Sequence, residues 1–371
     1  MGRQGRGGSM NNCRTVQVDL GDRSYPIYIG RNTAPELLFP LISGRKVLMV
    51  TDSNVEKYHA EKYLAAFRET ADVTLFTYDA GEQSKHLGTV EKICRAAVAA
   101  GLDRSSVFIA LGGGVCGDMT GLAASLYMRG TRYIQIPTTL LAMVDSSVGG
   151  KTGVDLPEGK NLVGAFFQPQ AVLMDIENLR TLPVRELSNG LAEMVKTVVI
   201  LDGALFEQLE SAAESLLQLS ETAPLAETIG RCCELKAEVV SNDEKENGLR
   251  AILNYGHTFG HALEAVTGYE TFAHGEGVAI GMCMAADLAV AMGLFTAEEA
   301  LRQETLLQKF QLPVRAEGLA LVPDKLLQSM MHDKKTSGGK LKLILSDRIG
   351  HADIFKGIGM DMIAEALCSR I

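Results

Sequence analysis

The first 180 residues alternate between short apolar runs and stretches with helical spacing of apolar positions. Residues 46–52 form a continuous apolar run of the kind typical of strands buried on both faces, and a helical stretch follows at about 55–70. Further strand-like runs lie at 73–78, 106–111 and 133–137. This alternation predicts a doubly wound α/β domain. Upstream, alternating residues 16–20 and 25–29 flank a polar turn and predict a β-hairpin.

After residue 182 the pattern changes to long helical stretches, with one late strand-like run at 340–345. We therefore expect three segments: a disordered tail or tag at 1–12, an α/β domain at 13–182, and a mainly helical domain at 183–371. Residues 278–295 carry a single charge, Asp287, but their small residues indicate a helix packed on all sides rather than a membrane span.

The composition narrows the range of partners. The 371 residues are 46% apolar, enough for two cores, and the net charge of −9 repels polyanions, so nucleic acid is not expected as a partner. The seven cysteines contain no Cys-x-x-Cys, which argues against a disulfide framework or a thiolate metal site and fits a reducing cytoplasm.

Three of the seven histidines fall between residues 250 and 276. His257 and His261 are four residues apart, on one face of a predicted helix, and His274 follows a short turn. Such a pair also occurs as hydrogen-bonded core. Imidazoles without nearby thiolates, however, favour a catalytic zinc-type site in which protein ligands leave one position open. Glu193, in an apolar helical stretch, is the candidate for an additional carboxylate ligand.

A glycine-rich turn at 112–118 follows a predicted strand, precedes a helix and satisfies Gly-x-Gly-x-x-Gly. Backbone amides at such a turn suit a pyrophosphate, although many glycine turns are only structural. The acid for a ribose hydroxyl is absent at the usual downstream position, and Asp52 is the upstream candidate. At this point the turn is a candidate dinucleotide site, with a purely structural turn as the alternative.

Lysines within glycine-rich segments at 148–153 and 159–164 are candidates for binding an anion, with solvated surface lysines as the alternative. Lys196 follows Glu193 by three residues in a stretch that its apolar neighbours predict to be buried. The remaining cations of interest are Lys236, Arg250, Lys334 and Lys335.

Several motifs, in this order along the chain, together resemble the 3-dehydroquinate synthase family from about residue 15 to 355. They are Gly81–Lys85, Gly112–Asp118, Tyr127–Gly130, Ile136–Thr139, the two lysine segments, Glu193–Lys196, Leu253–His261 and Asp333–Lys335. Ser84 and Cys116 depart from the family pattern, at positions that supply no chemistry.

This resemblance implies an α/β N-terminal Rossmann-like NAD-binding domain plus a mainly α-helical C-terminal metal-binding domain, with the active site between them. Zn²⁺ or Co²⁺ would be held by Glu193, His257 and His274, and His261 would instead contact the substrate phosphate. The residues implied for NAD are Asp52, Asn54, Gly81, Glu82, Gln83, Lys85, Gly114, Val115, Cys116, Gly117, Asp118, Thr138, Thr139, Lys151, Lys160, Asn178, Leu179, Arg180 and Thr181.

The family's substrate is 3-deoxy-D-arabino-heptulosonate 7-phosphate, a small sugar acid phosphate. It loses phosphate after transient oxidation by NAD and, after reduction, ring opening and aldol closure, yields 3-dehydroquinate in the shikimate pathway. The residues implied to contact it are Asp145, Lys151, Asn161, Lys196, Lys236, Arg250, Asn254, His261 and Lys334, with Lys335 as an alternative to the last. Arg129 resembles the arginine that a neighbouring subunit lends to the phosphate site, which implies a homodimer.

Three alternatives stay open at this point. A metal-dependent glycerol or alcohol dehydrogenase could share the fold but would not need the cations at Lys151, Lys236, Arg250 and Lys334. Another sugar phosphate cyclase would act on a substrate without the carboxylate that Lys236, Asn254 and the Asp333–Lys335 motif are equipped to bind. A catalytically inactive scaffold requires a lost ligand or base, and the motifs lack none.

Overall fold

The computed structural model describes residues 13–220, 224–246, 248–319, 321–335 and 341–371, and it describes the side chains of these residues except at 332–335. The expected tail at 1–12 therefore lies outside the described residues. The chain divides into two compact units. The first comprises the described residues up to Thr138 together with Ser146–Thr181, and the second comprises Thr139–Asp145 with Leu182–Ile371.

The first unit is built on a sheet whose strand order is β1-β2-β9-β6-β5-β3-β4. All neighbouring strands pair in parallel except the predicted N-terminal hairpin, in which β1 and β2 are antiparallel. The strands are β1 (Cys13–Val18), β2 (Tyr25–Gly30), β3 (Lys46–Asp52), β4 (Asp72–Tyr78), β5 (Val107–Gly112), β6 (Arg132–Pro137) and β9 (Val172–Asp175).

Both faces of this sheet are buried, which explains the continuous apolar runs. On β3, Val47 and Met49 belong to one core cluster, while Leu48 and Val50 belong to the cluster on the opposite face. Helices cover both faces of the sheet, because successive strand residues point to opposite faces and each face needs an apolar cover. The helices are α1 (Phe39–Ile42), α2 (Ser53–Val55), α3 (Glu61–Phe67), α4 (Leu87–Ala99) and α5 (Gly114–Leu126), and a π turn at Glu56–Ala60 joins α2 to α3.

The two lysine segments form a separate antiparallel hairpin, β7 (Lys151–Leu156) and β8 (Gly159–Phe166). The prediction of lysines held in glycine turns was only partly correct: Gly149 and Gly150, with φ +98° and +67°, turn the chain before Lys151, but both lysines lie on strands. Gly153 pairs with Gly164, and a Cβ on Gly164 would lie 2.1 Å from the Thr152 carbonyl oxygen. These glycines therefore allow close approach of two strands and do not mark turns.

The second unit is mainly helical, with one hairpin of β10 (Lys342–Arg348) and β11 (His351–Lys356). None of its described helices is long and apolar enough to cross a membrane, and neither is any in the first unit. Its helices are α6 (Val184–Leu201), α7 (Gly203–Leu217), α8 (Leu225–Asn242), α9 (His257–Val266), α10 (His274–Ala291), α11 (Ala297–Lys309), α12 (Pro323–Lys335) and α13 (Met360–Cys368).

Helices α9 and α10 cross at glycines. A Cβ on Gly281 would lie 2.1 Å from the carbonyl oxygen of Gly256, and one on Gly260 would lie 2.8 Å from that of Gly277. Gly256 also needs its left-handed backbone, with φ +77°, to begin α9. Because the two backbones touch, side chains that leave α9 and the start of α10 are held within a few ångströms of each other.

Candidate active site

Three imidazoles converge where α9 meets the start of α10. His257 and His261 project from the first turns of α9, and His274 is the first residue of α10. One ring nitrogen from each lies within 4.8 Å of one from each of the others. The predicted face of the helix and the predicted return of His274 are therefore both present, and the three rings are close enough to share one ion.

Glu193 lies among these rings. It projects from α6, is 1% exposed, and places its Oε1 3.4 Å from His274 Nε2 and 3.7 Å from His257 Nε2. Neither carboxylate oxygen has a hydrogen-bond partner among the described residues, although Lys196 Nζ contacts Oε2 as an ion pair. Lys196 compensates part of the cost of burying this carboxylate, and the oxygen that faces the imidazoles, Oε1, fits a role as ligand to a metal ion.

The ring nitrogens of His257 and His274 that face away from Glu193 are both engaged. His274 Nδ1 lies 3.0 Å from Glu264 Oε1, and His257 Nδ1 lies 3.1 Å from the Tyr255 carbonyl oxygen. Since both partners are acceptors, Nδ1 carries a proton in each ring, which leaves Nε2 as the nitrogen that would face an ion. The donor set of one carboxylate and two or three neutral imidazoles thus fits Zn²⁺ or Co²⁺.

The pKa values of the two imidazoles move in opposite directions. Burial lowers the pKa of His257 to about 3, and nearby Lys196 adds to this, so the ring is neutral and able to bind a metal. Burial also opposes protonation of His274, but the carboxylates of Glu193 and Glu264 outweigh burial and raise its pKa to about 10. A cation at Nε2 would take the place of that proton.

A second group of charges lies beside the imidazoles. Lys236 Nζ, on α8, donates to both Oδ1 and the carbonyl oxygen of Asp145, at 2.6 Å each, and Lys196 Nζ lies 3.7 Å from Asp145 Oδ1. Lys196, Lys236 and Arg250 are all at most 6% exposed. Burying three cations is unfavourable, and such clusters are typical of sites that bind anions.

The hydrogen bonds of Arg250 and Asn254 hold both residues to the segment after α8. Arg250 Nη1 donates to the Glu244 carbonyl oxygen at 2.5 Å, and Asn254 Nδ2 donates to Glu246 Oε1 at 2.7 Å. Burial lowers the pKa of Lys236 despite its contact with Asp145. For Lys196, by contrast, the carboxylates of Glu193 and Asp145 outweigh burial and raise the pKa.

In the first unit, Asp52, the glycine turn and Thr138 lie at the carboxyl ends of β3, β5 and β6. The Thr138 amide donates to the Gly112 carbonyl oxygen at 3.0 Å, which places Thr138 beside the glycine turn. Thr138 is 3% exposed, and its Oγ1 has no hydrogen-bond partner among the described residues. The N-cap of α5 is Gly113, which offers no side chain to the first amides. An unpaired hydroxyl beside uncapped amides suits a phosphate or ribose oxygen.

The other first-unit candidates have local partners. Asp52 Oδ1 caps α2 by accepting from the amides of Asn54 and Val55 at 2.9 and 3.0 Å. Lys85 is 6% exposed and contacts Asp118 Oδ2 at 2.7 Å and Asn161 Oδ1 at 2.6 Å. The buried ammonium group of Lys85 therefore contacts both Asp118, a candidate for NAD, and Asn161, a candidate for substrate.

Cys116 packs below the glycine turn. Its Sγ lies 3.3 Å from the Val50 carbonyl oxygen, and burial raises the pKa of the thiol to about 12. At neutral pH this cysteine is an unreactive apolar residue.

Two residues that the sequence analysis missed support the turn at Ile176–Thr181. Asn178 Nδ2 donates to the Tyr63 hydroxyl at 3.1 Å, and His59 Nε2 lies 2.8 Å from Thr181 Oγ1. Both come from the π turn and α3, more than a hundred residues earlier, so no local pattern identifies them. The turn also contains Leu179, which is buried, and Arg180, which pairs with Glu177.

Some predicted residues lie outside these clusters. Lys151 and Arg129 are exposed on the first unit, at the start of β7 and at the end of the turn Tyr127–Arg129, and Lys160 is half-buried on β8. Lys334 and Lys335 end α12, but their side chains are outside the described part of the chain.

These features define a class: an enzyme that combines a nucleotide-binding α/β unit with a metal-binding helical unit. Within that class, residues 75–189 match the family model for the 3-dehydroquinate synthase N-terminal domain, and residues 190–336 match the model for its C-terminal domain. The chain belongs to the 3-dehydroquinate synthase family.

Curated relatives extend the similarity over nearly the whole chain. A 3-dehydroquinate synthase from Picosynechococcus sp. is 46% identical over 363 residues, 96% of this chain and 99% of that protein. One from Shewanella sp. is 45% identical over 358 residues, 95% of this chain and 98% of that protein.

Solved structures show the same fold. A 2-epi-5-epi-valiolone synthase from Streptomyces hygroscopicus with NAD⁺ and Zn²⁺ bound has a TM-score of 0.87 and 31% identity, covering 95% of this chain and 98% of its own. A 2-deoxy-scyllo-inosose synthase complexed with carbaglucose-6-phosphate, NAD⁺ and Co²⁺ has a TM-score of 0.85 and 29% identity, covering 96% and 100%. The glycerol dehydrogenase of Schizosaccharomyces pombe, 17% identical with a TM-score of 0.62, shares the fold alone, covering 90% of this chain and 85% of its own.

Proposed function

We propose that this protein is a 3-dehydroquinate synthase, a lyase that converts 3-deoxy-D-arabino-heptulosonate 7-phosphate into 3-dehydroquinate and phosphate in the shikimate pathway. The observation that carries the proposal is the buried Glu193 carboxylate among imidazoles, next to the buried cations Lys196, Lys236 and Arg250. A metal and a phosphorylated acid are the partners that such a combination suits.

Two cofactors belong to this proposal. NAD would be held at the glycine turn, Thr138 and the turn at Ile176–Thr181, and it would supply a reversible hydride acceptor. Zn²⁺ or Co²⁺ would be held by Glu193, His257 and His274, and it would supply a Lewis acid for the substrate hydroxyls. The cofactors named for the valiolone and inosose synthases support both assignments.

The residues of the chain would bind, orient and shield the substrate. Lys236 and Arg250 would hold the carboxylate, while His261, on the exposed side of the imidazole cluster, and Lys151 would hold the phosphate. Asp145 keeps Lys196 and Lys236 in place through its ion pairs. Holding a flexible sugar in one geometry in this way favours elimination and ring closure over side reactions.

Another sugar phosphate cyclase is the second candidate, since the two structural neighbours of highest TM-score given above are named for such reactions. Lys236 and Asn254 argue against it, because a heptulose or hexose phosphate has no carboxylate for them to bind. A dehydrogenase acting on glycerol is less well supported, since a neutral polyol needs none of the buried cations.

The deciding experiment measures phosphate release and product identity with purified enzyme, NAD and Zn²⁺. The heptulosonate phosphate, sedoheptulose 7-phosphate and glucose 6-phosphate are supplied singly and in competition. We expect 3-dehydroquinate from the first substrate only, with no net NADH. Turnover of sedoheptulose 7-phosphate or glucose 6-phosphate instead, or net NADH from glycerol, would contradict the proposal.

We further infer a homodimer in which Arg129 of one subunit contacts the phosphate in its partner. Met128 and Arg129 have left-handed backbones, with φ +50° and +68°, and both are exposed. Backbone strain of this kind clusters at active sites and ligand clamps, which supports a role for Arg129 in contacting the phosphate. If this is correct, mixing inactive Arg129→Ala and Lys236→Ala chains restores activity, because each hybrid dimer has one intact site. No recovery in verified hybrids would exclude the arrangement.

We place the protein in the cytoplasm, where reducing conditions keep its seven free cysteines as thiols. The predicted division of the chain into one domain at 13–182 and another at 183–371 also remains part of the proposal.

A further inference from the structure

His274 has its two ring nitrogens against two different carboxylates. Nε2 faces Glu193 at 3.4 Å, and Nδ1 faces Glu264 at 3.0 Å. Both carboxylates are 1% exposed. Glu193 belongs to the metal site proposed above, whereas Glu264 belongs to none of the motifs and cannot reach the ion, since the imidazole lies between them.

We propose that Glu264 is a positioning residue for the metal site, which fixes the orientation and tautomer of His274 and strengthens Nε2 as a ligand. This inference rests on the metal site of the proposed function. By accepting the Nδ1–H, the carboxylate keeps the lone pair of Nε2 directed at the ion. A negative partner also makes the imidazole a better electron donor than a neutral partner does.

The comparison with His257 supports a specific need for charge. There the Nδ1–H is accepted by a neutral backbone carbonyl, that of Tyr255, at 3.1 Å. Burying a carboxylate is unfavourable, so a neutral acceptor would be the less demanding choice for His274 if orientation alone mattered. The fold nevertheless makes room for Glu264.

The room comes from Gly277 on α10. A Cβ at this position would lie 3.2 Å from Oε1 and 3.3 Å from Cγ of Glu264, tighter than ordinary contact. The carboxylate is thus held between the imidazole and a helix surface that lacks a side chain. The same contact ties α9 to α10, so a purely structural role for Glu264 is the rival explanation.

The experiment separates these roles by measuring metal affinity apart from stability. Zn²⁺ is removed from the full-length protein, and its affinity is measured by competition with a chromophoric chelator for wild type, Glu264→Gln and Glu264→Ala. We expect Glu264→Gln, which keeps an acceptor but loses the charge, to bind Zn²⁺ about 10-fold more weakly, and Glu264→Ala up to about 100-fold more weakly. The visible absorption of the Co²⁺ forms should shift in both variants.

Glu304→Gln serves as the matched control. Glu304 accepts from Arg370 Nη1 at 2.8 Å on α11, away from the imidazoles, so its neutralisation tests loss of a charge-assisted hydrogen bond in the same unit. We expect wild-type Zn²⁺ affinity and Co²⁺ absorption from this variant. Unfolding of the metal-free proteins, followed by circular dichroism, identifies any variant whose loss of affinity comes from loss of fold.

Nitrogen-15 spectra of histidine-labelled wild type keep the inference testable even if the variants do not fold. In the metal-loaded protein, His274 should carry its proton on Nδ1. A proton on Nε2 would overturn the inference, as would Glu264→Gln with wild-type affinity and unchanged Co²⁺ absorption, and either result would leave the proposed function standing. A wild type that binds no Zn²⁺ would overturn the metal site and this inference together.

Discussion

Single residues in the two candidate sites carry unfavourable features that a bound group would relieve. The buried hydroxyl of Thr138 has no hydrogen-bond partner among the described residues, and the Glu193 carboxylate has only its ion pair with Lys196. An unsatisfied buried polar atom lowers stability by about 1–3 kcal/mol. Stability that is lost at a site in the free protein is regained when the missing partner binds, so such atoms indicate a ligand.

This reasoning predicts opposite effects of Thr138→Val on stability and on binding. Valine has nearly the same shape but no hydroxyl, so we expect the ligand-free protein to gain about 1 kcal/mol in free energy of unfolding. The affinity for NAD should fall about 10-fold, which corresponds to a lost hydrogen bond of ordinary strength. Chemical denaturation and NAD titration measure the two effects.

Thr152→Val is the matched control. Thr152 is also buried in the first unit, but its Oγ1 donates to the Ala165 carbonyl oxygen at 2.9 Å. Its replacement should therefore destabilise the protein by about 1 kcal/mol, because this hydrogen bond is lost. Destabilisation by both variants would show that the Thr138 hydroxyl is satisfied in the free protein.

A second residue-scale prediction concerns the alkaline limb of activity. Burial lowers the pKa of Lys236, opposed by Asp145, while Lys196 and Arg250 act in the same direction as burial. Since only the protonated amine binds an anion, substrate binding should weaken as pH rises through this lowered pKa. Asp145→Asn removes the opposing charge, so the pKa of Lys236 should fall further and the alkaline limb of kcat/KM should move to lower pH.

Asp202→Asn provides the comparison for this pH profile. Asp202 pairs with Arg231 at 2.8 Å in the same unit, and asparagine can still cap α7. Its alkaline limb should match that of the wild type. An Asp145→Asn limb that stays in place or moves to higher pH would show that Lys236 does not govern the profile.

At the scale of elements, the metal site depends on how closely α10 approaches α6. A Cβ on Gly275 would lie 2.6 Å from both the Cα and the carbonyl oxygen of Asn189, one turn before Glu193. Gly275→Ala should therefore push the start of α10 away and separate His274 from Glu193. We expect a loss of about 1–3 kcal/mol in stability and at least a 10-fold weaker Zn²⁺ affinity, measured by denaturation and chelator competition.

Gly359→Ala tests whether glycine replacement alone has these effects. Gly359 precedes α13 with φ −61°, and a Cβ there would meet nothing within 4 Å. Zn²⁺ affinity should not fall, and stability should fall by no more than about 1 kcal/mol, because alanine is a poorer N-cap than glycine. If Gly275→Ala behaves like this control, close packing of α10 on α6 does not set the geometry of the site.

Elements with strong periodicity could be predicted from the sequence, and elements that depend on partners could not. The apolar run 46–52 coincides with β3, and the predicted helix that carries His257 and His261 is α9. The hairpin of β7 and β8 was missed because its glycines and lysines lack the alternation of a half-buried strand, and it is held instead by close pairing of Gly153 and Gly164. β9 has four residues, too few for a period to be recognised.

At the scale of the whole molecule, the candidate residues could be nominated from the sequence, but their partners could not. The spacing of His257, His261 and His274 predicts convergence, yet nothing local identifies Glu264 as the acceptor for His274 Nδ1 or Tyr63 as the acceptor for Asn178. These contacts depend on tertiary packing between elements that are distant in the chain. The choice between His261 and Glu193 as the third ligand likewise follows from the family resemblance, since the structure places both beside the other two imidazoles.

The division into two units predicts that the two cofactors stabilise the protein through different residues. A ligand present at about 100 times its Kd adds about 2.7 kcal/mol to the free energy of unfolding. Zn²⁺ and NAD should therefore each raise the melting temperature of the wild type.

Glu193→Gln, which keeps the shape of the side chain but loses the anionic ligand, should abolish the increase with Zn²⁺ and retain the increase with NAD. Thr138→Val should show the reverse pattern, with a reduced response to NAD and a full response to Zn²⁺. Chelation of the metal from wild type should likewise remove the Zn²⁺-dependent increase and retain the increase with NAD, because in both cases no ion occupies the site. A full Zn²⁺ response in Glu193→Gln would mean that the ion is held by the three imidazoles without the carboxylate, which is the arrangement that histidine spacing alone suggests.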